Sequence, residues 1–288
     1  MKSLIIFTKV FIFYMKGFYP LTELYVYPIK SLGGISLQEA MVTDRGLQYD
    51  RRWMLVDEQG RFLSQRERPT MALFQVFIQN DTLQVVHKHF PTQKILIPLE
   101  SQITAKQVMV WNDICQALTV SADADEFFST HLGQKAQLVY MPENSHRKVE
   151  TRYASRGEIT SFSDGYPFLL IGQSSLDDLN SRLESAVPMN RFRPNLVFSG
   201  GEPFEEDHWQ QFQIQNITFT CAKPCARCVV TTIDQETAIQ GKEPLRTLSS
   251  YRKQNNKILF GQNILHQGSG KIALGDIITV ISKVSSNI

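Results

Sequence analysis

The sequence predicts a mainly β fold of the α+β class, two β-barrel-like domains with a few short helices. Short apolar runs alternate with turn residues at regular spacing along most of the chain, which is the pattern of antiparallel barrels and sandwiches. Strong helical spacing is confined to three segments. With 288 residues, 42% hydrophobic and 20% charged, the chain suits one large or two ordinary globular domains and excludes disorder for most of its length.

The elements follow in order. Leu4 to Tyr14 is an apolar run broken by Lys9, too short to span a bilayer and without a small-residue cleavage site after it. It reads as a weak membrane anchor, as an extension packed on the body, or as sequence ahead of a start at Met15. Folded-domain patterning begins near Leu21, which favours the last two. Strands are predicted at Leu24–Tyr27 and at Trp53–Val56, the latter leading into a turn at Glu58–Gly60. Leu73–Ile78 pairs with Leu83–Val86 across Asn80-Asp81, and Val108–Trp111 with Ile114–Val120 across Asn112-Asp113. A helix over Asp123–Leu132 has Ser121 as its cap and Gly133 as its stop.

Residues 142–157 are polar and aperiodic and read as a loop or domain junction. Beyond them come a buried strand at Pro167–Ile171, a helix from Ser174 with Leu176, Leu179 and Leu183 on one face, and a strand at Asn195–Phe198. A hairpin follows over Phe212–Cys221 with its turn at Gln215-Asn216, then a helix over Leu245–Lys253, then strands around Ile264 and Ile277–Ile281. The division expected is an extension over 1–20, an N-terminal barrel domain over 21–140 and a second domain over 141–288.

The formal charge of +2 gives no overall field toward nucleic acid or an acidic membrane, so any anion site is local. Three of the four cysteines fall within Cys221-Ala-Lys-Pro-Cys225-Ala-Arg-Cys228, which is not a disulfide framework and points to a reducing, cytoplasmic setting. Thiolates bind soft metals, and Lys223 and Arg227 favour the deprotonated form. The C-x3-C-x2-C spacing is also that of radical S-adenosylmethionine enzymes, but the 60 residues over 229–288 leave no room for their barrel. A structural zinc site would need His208 or His266 as a fourth ligand. Cys221 continues the alternation of Ile217 and Phe219 into a core, and Cys115 sits in another strand. Cys225 and Cys228 lie past Pro224, where the strand should break and expose the chain. No serine–histidine–acid set, Walker loop or HExxH stands out, and His87 and His89 are expected on one solvent-facing strand side.

Several segments occur in a recognisable order: Tyr27-Pro-Ile-Lys-Ser31, Asp50-Arg-Arg-Trp53, Ser163-Asp164, Arg191-Phe-Arg-Pro-Asn195, Cys225-Ala-Arg-Cys228 with Thr231, Thr232 and Asp234, Glu243-Pro-Leu-Arg, Phe260-Gly-Gln262 and Gly275-Asp276. Over about Leu21 to Ile281 the chain resembles the MOSC-domain proteins that carry an N-terminal β-barrel domain, the family of the amidoxime-reducing components and their bacterial relatives.

The resemblance implies a molybdenum cofactor (Mo-molybdopterin) in a cleft between the two domains, with Cys228 as the molybdenum ligand and the catalytic thiolate. It implies anchoring of the pterin and its phosphate by Lys30, Arg51 and Arg193, with Arg227 beside them and Ser31 orienting the phosphate. Asp164, Gly165 and Tyr166 match a cofactor-contacting segment, although Gly165 and Tyr166 depart from small hydroxyl-bearing residues. Asn195 is expected either on the pterin or as a cap of the local turn, and Thr231, Thr232 and Asp234 as a network behind the metal. The activity implied is reduction of small N-hydroxylated compounds (amidoximes, hydroxylamines, N-hydroxylated base analogues). A fused ferredoxin tail known in some bacterial relatives is missing after the MOSC-like region, so a separate ferredoxin, flavoprotein reductase or cytochrome-type donor is expected. The alternatives are a sulfur-carrier or cofactor-binding module without its own turnover, and a zinc-stabilised scaffold.

Overall fold

The computed structural model describes residues 17–100 and 103–284, so the apolar run at Leu4–Tyr14 lies outside the described residues. Seven strands close a barrel in the order Phe168–Gly172, Leu196–Phe198, Tyr19–Val26, Ile277–Lys283, Trp209–Ile214, Ile217–Ala226 and Lys257–Gln267. Closure comes from Phe168–Gly172, which pairs parallel with Leu196–Phe198 on one side and antiparallel with Lys257–Gln267 on the other. Apolar side chains at alternate positions fill the interior, among them Phe168, Phe198, Trp209, Phe212 and Phe219. Phe212 and Phe219 face each other across the hairpin with rings stacked at 5.1 Å. The chain's first described strand is thus a stave of a barrel otherwise built from residues 168–283.

A second sheet, Trp53–Val56, Gln137–Tyr140, Asp113–Thr119 and Ala105–Val110, forms a half-barrel. A three-stranded meander over Phe74–Gln79, Thr82–His87 and Phe90–Pro98 and the helix α1 (Ala122–Leu132) share one core with it, around Trp53, Phe74 and Phe128. With α2 (Gln173–Ser181) and α3 (Leu245–Tyr251), three α-helices occur among the described residues, and the protein is mainly β with barrel-like domains. None of these helices is long and apolar enough to cross a membrane.

Local chemistry placed most elements. Ser121 accepts a hydrogen bond from the Ala124 amide, and Gly133 ends α1 in the left-handed region. Asn80 and Asp81 both take positive φ (48° and 56°), the conformation of a tight hairpin turn. Four expectations need correction. The second N-terminal hairpin turns at Trp111-Asn112, one residue early, because Asp113 pairs with Val110 and Trp111 takes the positive φ. Pro224 does not end its strand: bulges at Cys221/Lys223 and Pro224/Ala226 carry the pairing on to Ala226. His87 is buried, aligned with Leu83 and Val85 and packed against Phe74 and His131, while His89 lies in the turn beyond the strand. The 142–157 stretch contains a short strand at Arg147–Lys148 paired with Ile159–Thr160, and Arg147 is buried.

Candidate functional site

One cleft brings together Lys30, Ser31 and Arg51 from the N-terminal segment, Asp164, Gly165 and Tyr166 from the loop before the first barrel stave, Arg193 and Asn195, and Arg227 with Cys228. Three of these residues, Ser31, Arg51 and Arg193, hold left-handed backbone (φ 68°, 49° and 56°), an arrangement that costs energy in non-glycine residues and gathers at sites that need a particular aim.

The cations are held from below by protein groups. Arg51 donates to Asp50 at 2.5 Å and to Asn195 Oδ1 at 3.1 Å, and its guanidinium and that of Arg193 both lie over the Tyr27 ring, 4.3 and 4.2 Å from its centroid. Gly34 permits that ring: a Cβ there would stand 2.5 Å from it. Arg193 donates to the Leu32 carbonyl at 2.7 Å and has no salt-bridge partner among the described residues, and burial lowers its pKa to about 10. Lys30 is buried with its ammonium 2.6 Å from Asp164, and burial lowers it to about 8 against the pull of that carboxylate. The Asp164 carboxyl stays largely exposed, and Lys30 and Arg66 together hold it well below the usual carboxylate range. The Asn195 amide is spent on protein partners, accepting from Arg51 and Leu169 N and donating to the Tyr25 carbonyl. It therefore fixes Arg51 and the loop around it.

Cys228 follows the extended strand and precedes a single 3-10 turn, Val229–Thr232, and is half-buried. The Thr231 amide and hydroxyl both donate to the Cys228 carbonyl, at 3.2 and 3.1 Å. Buried Arg191 donates to the Thr231 carbonyl and pairs with Asp234 at 3.6 Å. This network fixes the thiol's backbone from behind. Of the other cysteines, Cys221 packs on the barrel core and Cys115 lies in the half-barrel core, whereas Cys225 also lines the cleft and accepts from Arg227 at 3.0 Å.

Of the two cations expected beside the thiols, Arg227 is there and Lys223 is not. Lys223 pairs with Glu150 and lies over Tyr153 and Tyr166, and Arg227 meets Cys225. A further cation in the cleft with Cys228 is Arg66, which sequence reasoning missed: burial works against its charge, and Asp164 and then the Cys228 sulfur more than offset that. Within Ser64-Gln-Arg-Glu-Arg68 no periodicity separates a site arginine from a solvated one. Buried Gln65 and Arg147 were also missed. Gln65 donates to the Ser31 carbonyl at 2.7 Å, and Arg147 donates to the Ser161 and Ser163 carbonyls, holding the loop that carries Asp164.

Five cations (Lys30, Arg51, Arg66, Arg193, Arg227) and one carboxylate (Asp164) line the cleft, so it suits a ligand with several negative charges. Arg227 Nε is buried with no partner, a donor that such a ligand would satisfy. Among the described residues no group of three or more His, Cys, Asp or Glu side chains could hold a metal ion, so a lone thiolate fits a metal that brings most of its own donors. The residues present fit a phosphate-bearing, metal-carrying cofactor.

The MOSC N-terminal beta barrel domain matches residues 19–135 and the MOSC domain matches 129–279, and the chain belongs to the MOSC-domain family. Among its relatives, mitochondrial amidoxime-reducing component 1 of Mus musculus is 33% identical over 281 residues, 91% of this chain and 82% of that protein. The Homo sapiens component 1 is 30% identical, with 91% and 82% covered. Molybdenum cofactor sulfurase of Oryza sativa subsp. japonica is 31% identical over 84% of this chain and 32% of the sulfurase.

Proposed function

We propose that this protein binds Mo-molybdopterin in the cleft and reduces small N-hydroxylated compounds, amidoximes, hydroxylamines or N-hydroxylated base analogues, with electrons from a separate ferredoxin, flavoprotein reductase or cytochrome-type donor. The observation that carries this reading is the meeting of the half-buried Cys228 thiol with five cations in a single cleft, where the second thiol, Cys225, is already taken up by Arg227. The likeness to amidoxime-reducing components supports the choice of substrate class.

Cys228 is the ligand we assign to molybdenum, since one thiolate suits a metal whose pterin brings two sulfurs. Lys30, Arg51, Arg193 and Arg227 hold the phosphate and the polar ring edge, each charge-assisted bond contributing on the order of 1.5–3 kcal/mol. Ser31, Gly165 and Tyr166 close the walls, Asp164 holds Lys30 in place, and Asn195 acts through Arg51. When bound, the cofactor supplies the two-electron centre for removing oxygen from nitrogen. The chain's own part is to orient that centre, keep bulk water from it and hold the thiol at a fixed height. We divide the chain into an N-terminal unit over 21–140 and a MOSC unit over 141–288, with the cleft between them and the strand Tyr19–Val26 lent to the barrel, and place the protein in the cytoplasm on its four free cysteines.

The test is protein purified from a host that makes molybdenum cofactor, with molybdenum and pterin per chain measured beside amidoxime reduction by a reduced dye. Near-stoichiometric metal and pterin with turnover is expected, and Cys228→Ala should fold, keep pterin and lose turnover; equal activity in that variant would remove Cys228 as ligand. The likeness to molybdenum cofactor sulfurases favours a second reading, a sulfur-carrying or cofactor-holding module without turnover. A persulfide on Cys228 in protein without molybdenum would select it.

A further inference from the structure

Arg66 differs from the other cleft cations in what holds it. Its guanidinium lies over the Trp111 ring, 4.5 Å from the centroid, and pairs with Asp164 at 3.1 Å. Trp111 is in turn braced edge-on by Phe62 at 4.9 Å, and the ammonium of Lys30 lies over the other partner of that pair, 5.2 Å from the Phe62 ring. Asp164 is bound by both cations, one on each oxygen. Arg66 is therefore clamped on its face by an aromatic ring and on one edge by a carboxylate, and it interacts with the Cys228 sulfur in the cleft that the two share.

Position separates its role from anchoring. Arg51, Arg193 and Arg227 are tied to the floor through Asp50, Asn195 and the backbone carbonyls of Leu32 and Phe192. Arg66 comes from the N-terminal unit, beside Trp111, which stays 42% exposed, and its side chain is itself 24% exposed against 14% for Arg51. Arg66 is thus a partly exposed cation in the cleft that holds Cys228.

We propose that Arg66 is a substrate-positioning residue: clamped by Trp111 and Asp164, it draws the electron-rich, oxygen-bearing end of a ligand onto the Cys228 side of the cleft. Joined to the function proposed above, on which this role in turnover rests, the group so oriented is the N–O oxygen of the substrate. A planar guanidinium with two donors on one edge suits an oxygen that also carries lone pairs on the adjacent nitrogen, and favours N-hydroxylated ligands over the corresponding amines, which lack that acceptor. Rigid clamping matters because a positioning donor that must itself be ordered loses part of its effect.

Two readouts test this, one of them independent of the cofactor. In metal-free protein, Cys228 is labelled at one pH with methanethiosulfonates bearing a sulfonate or a trimethylammonium group, and the site is read by peptide mass. The ratio of the two rates cancels the thiol's own ionisation. The parent should favour the anionic reagent, and Arg66→Gln should lower the ratio on the order of tenfold, with Arg66→Lys in between. Trp111→Leu, which removes the ring under Arg66 together with its contact to Phe62, should lower it in the same direction by less. An unchanged ratio in Arg66→Gln overturns the proposal. In cofactor-loaded protein, Arg66→Gln should keep its molybdenum and pterin and lose on the order of ten- to a hundredfold in kcat/KM for an amidoxime, chiefly through KM. Loss of cofactor in step with activity would make Arg66 an anchor and overturn the positioning role. If the parent carries no molybdenum or does not turn over, the functional reading falls on its own, and the reagent ratio still decides whether Arg66 draws an anion to Cys228.

Discussion

Lys30 shows how burial converts an ordinary lysine into a site group. Desolvation lowers its pKa to about 8, with Asp164 opposing. Because the folded protein releases this proton below the range of an exposed lysine, it holds fewer protons than the unfolded chain from about pH 8 upward, and Lys30's own contribution to stability rises with pH over that interval. Anion binding runs the other way. Sulfate, whose charge is constant there, should bind metal-free protein more weakly as pH rises through about 8, and calorimetric titration should show that step vanish in Lys30→Met; a step that persists would assign the effect to another group. At this scale the motifs around Lys30, Arg51, Arg193 and Cys228 were legible through their resemblance, in order along the chain, to those of the MOSC-domain family. Arg66 and Gln65 were not, because a charged and an amide side chain in a polar run look alike whether they face water or a cleft.

Elements were legible where a local signal decides the backbone. Ser121 and Gly133 bound α1 as read, and the Asn80-Asp81 turn sets its hairpin register. Replacing Ser121 with Ala removes the acceptor for the Ala124 amide and should cost about 1 kcal/mol, seen as a lower urea midpoint at unchanged slope. No change in the midpoint would mean water replaces the cap. The signals failed where pairing with a distant strand overrode them. Pro224 lacks an amide hydrogen, yet the Lys257–Gln267 strand keeps its partner because two bulges rotate the chain past the missing donor. His87 sits at an inward position of its strand, and polarity alone pointed it to water, whereas Phe74, Phe90 and His131 enclose its ring.

For the whole molecule, the consequential feature is that Tyr19–Val26 lies between Leu196–Phe198 and Ile277–Lys283 in the closed barrel. A fragment of residues 141–288 made alone lacks that stave and exposes two unpaired edges, so it should aggregate or melt without cooperativity. A sharp two-state melt with native near-ultraviolet dichroism would show that the barrel closes without it. The same stave leads directly into Tyr27 and Lys30, which couples barrel closure to the placement of the cleft's cations.

The sequence by itself determined the class of fold, the strands and helix caps that depend on neighbours a few residues away, and the motifs that mark the chain as a MOSC-domain protein. Alternation, turn chemistry and capping act within one or two turns of chain, so they can be read in one dimension. Only the tertiary structure decided that a strand from the N-terminal end completes the C-terminal barrel, that Arg66 rather than Lys223 shares the cleft with Cys228, and that Asp164 joins Lys30 to Arg66 across separations of 134 and 98 residues. Those outcomes follow from strand pairing and from the need of buried charges to find partners, and both are satisfied by whichever residues the fold brings near, however far apart they lie in the chain.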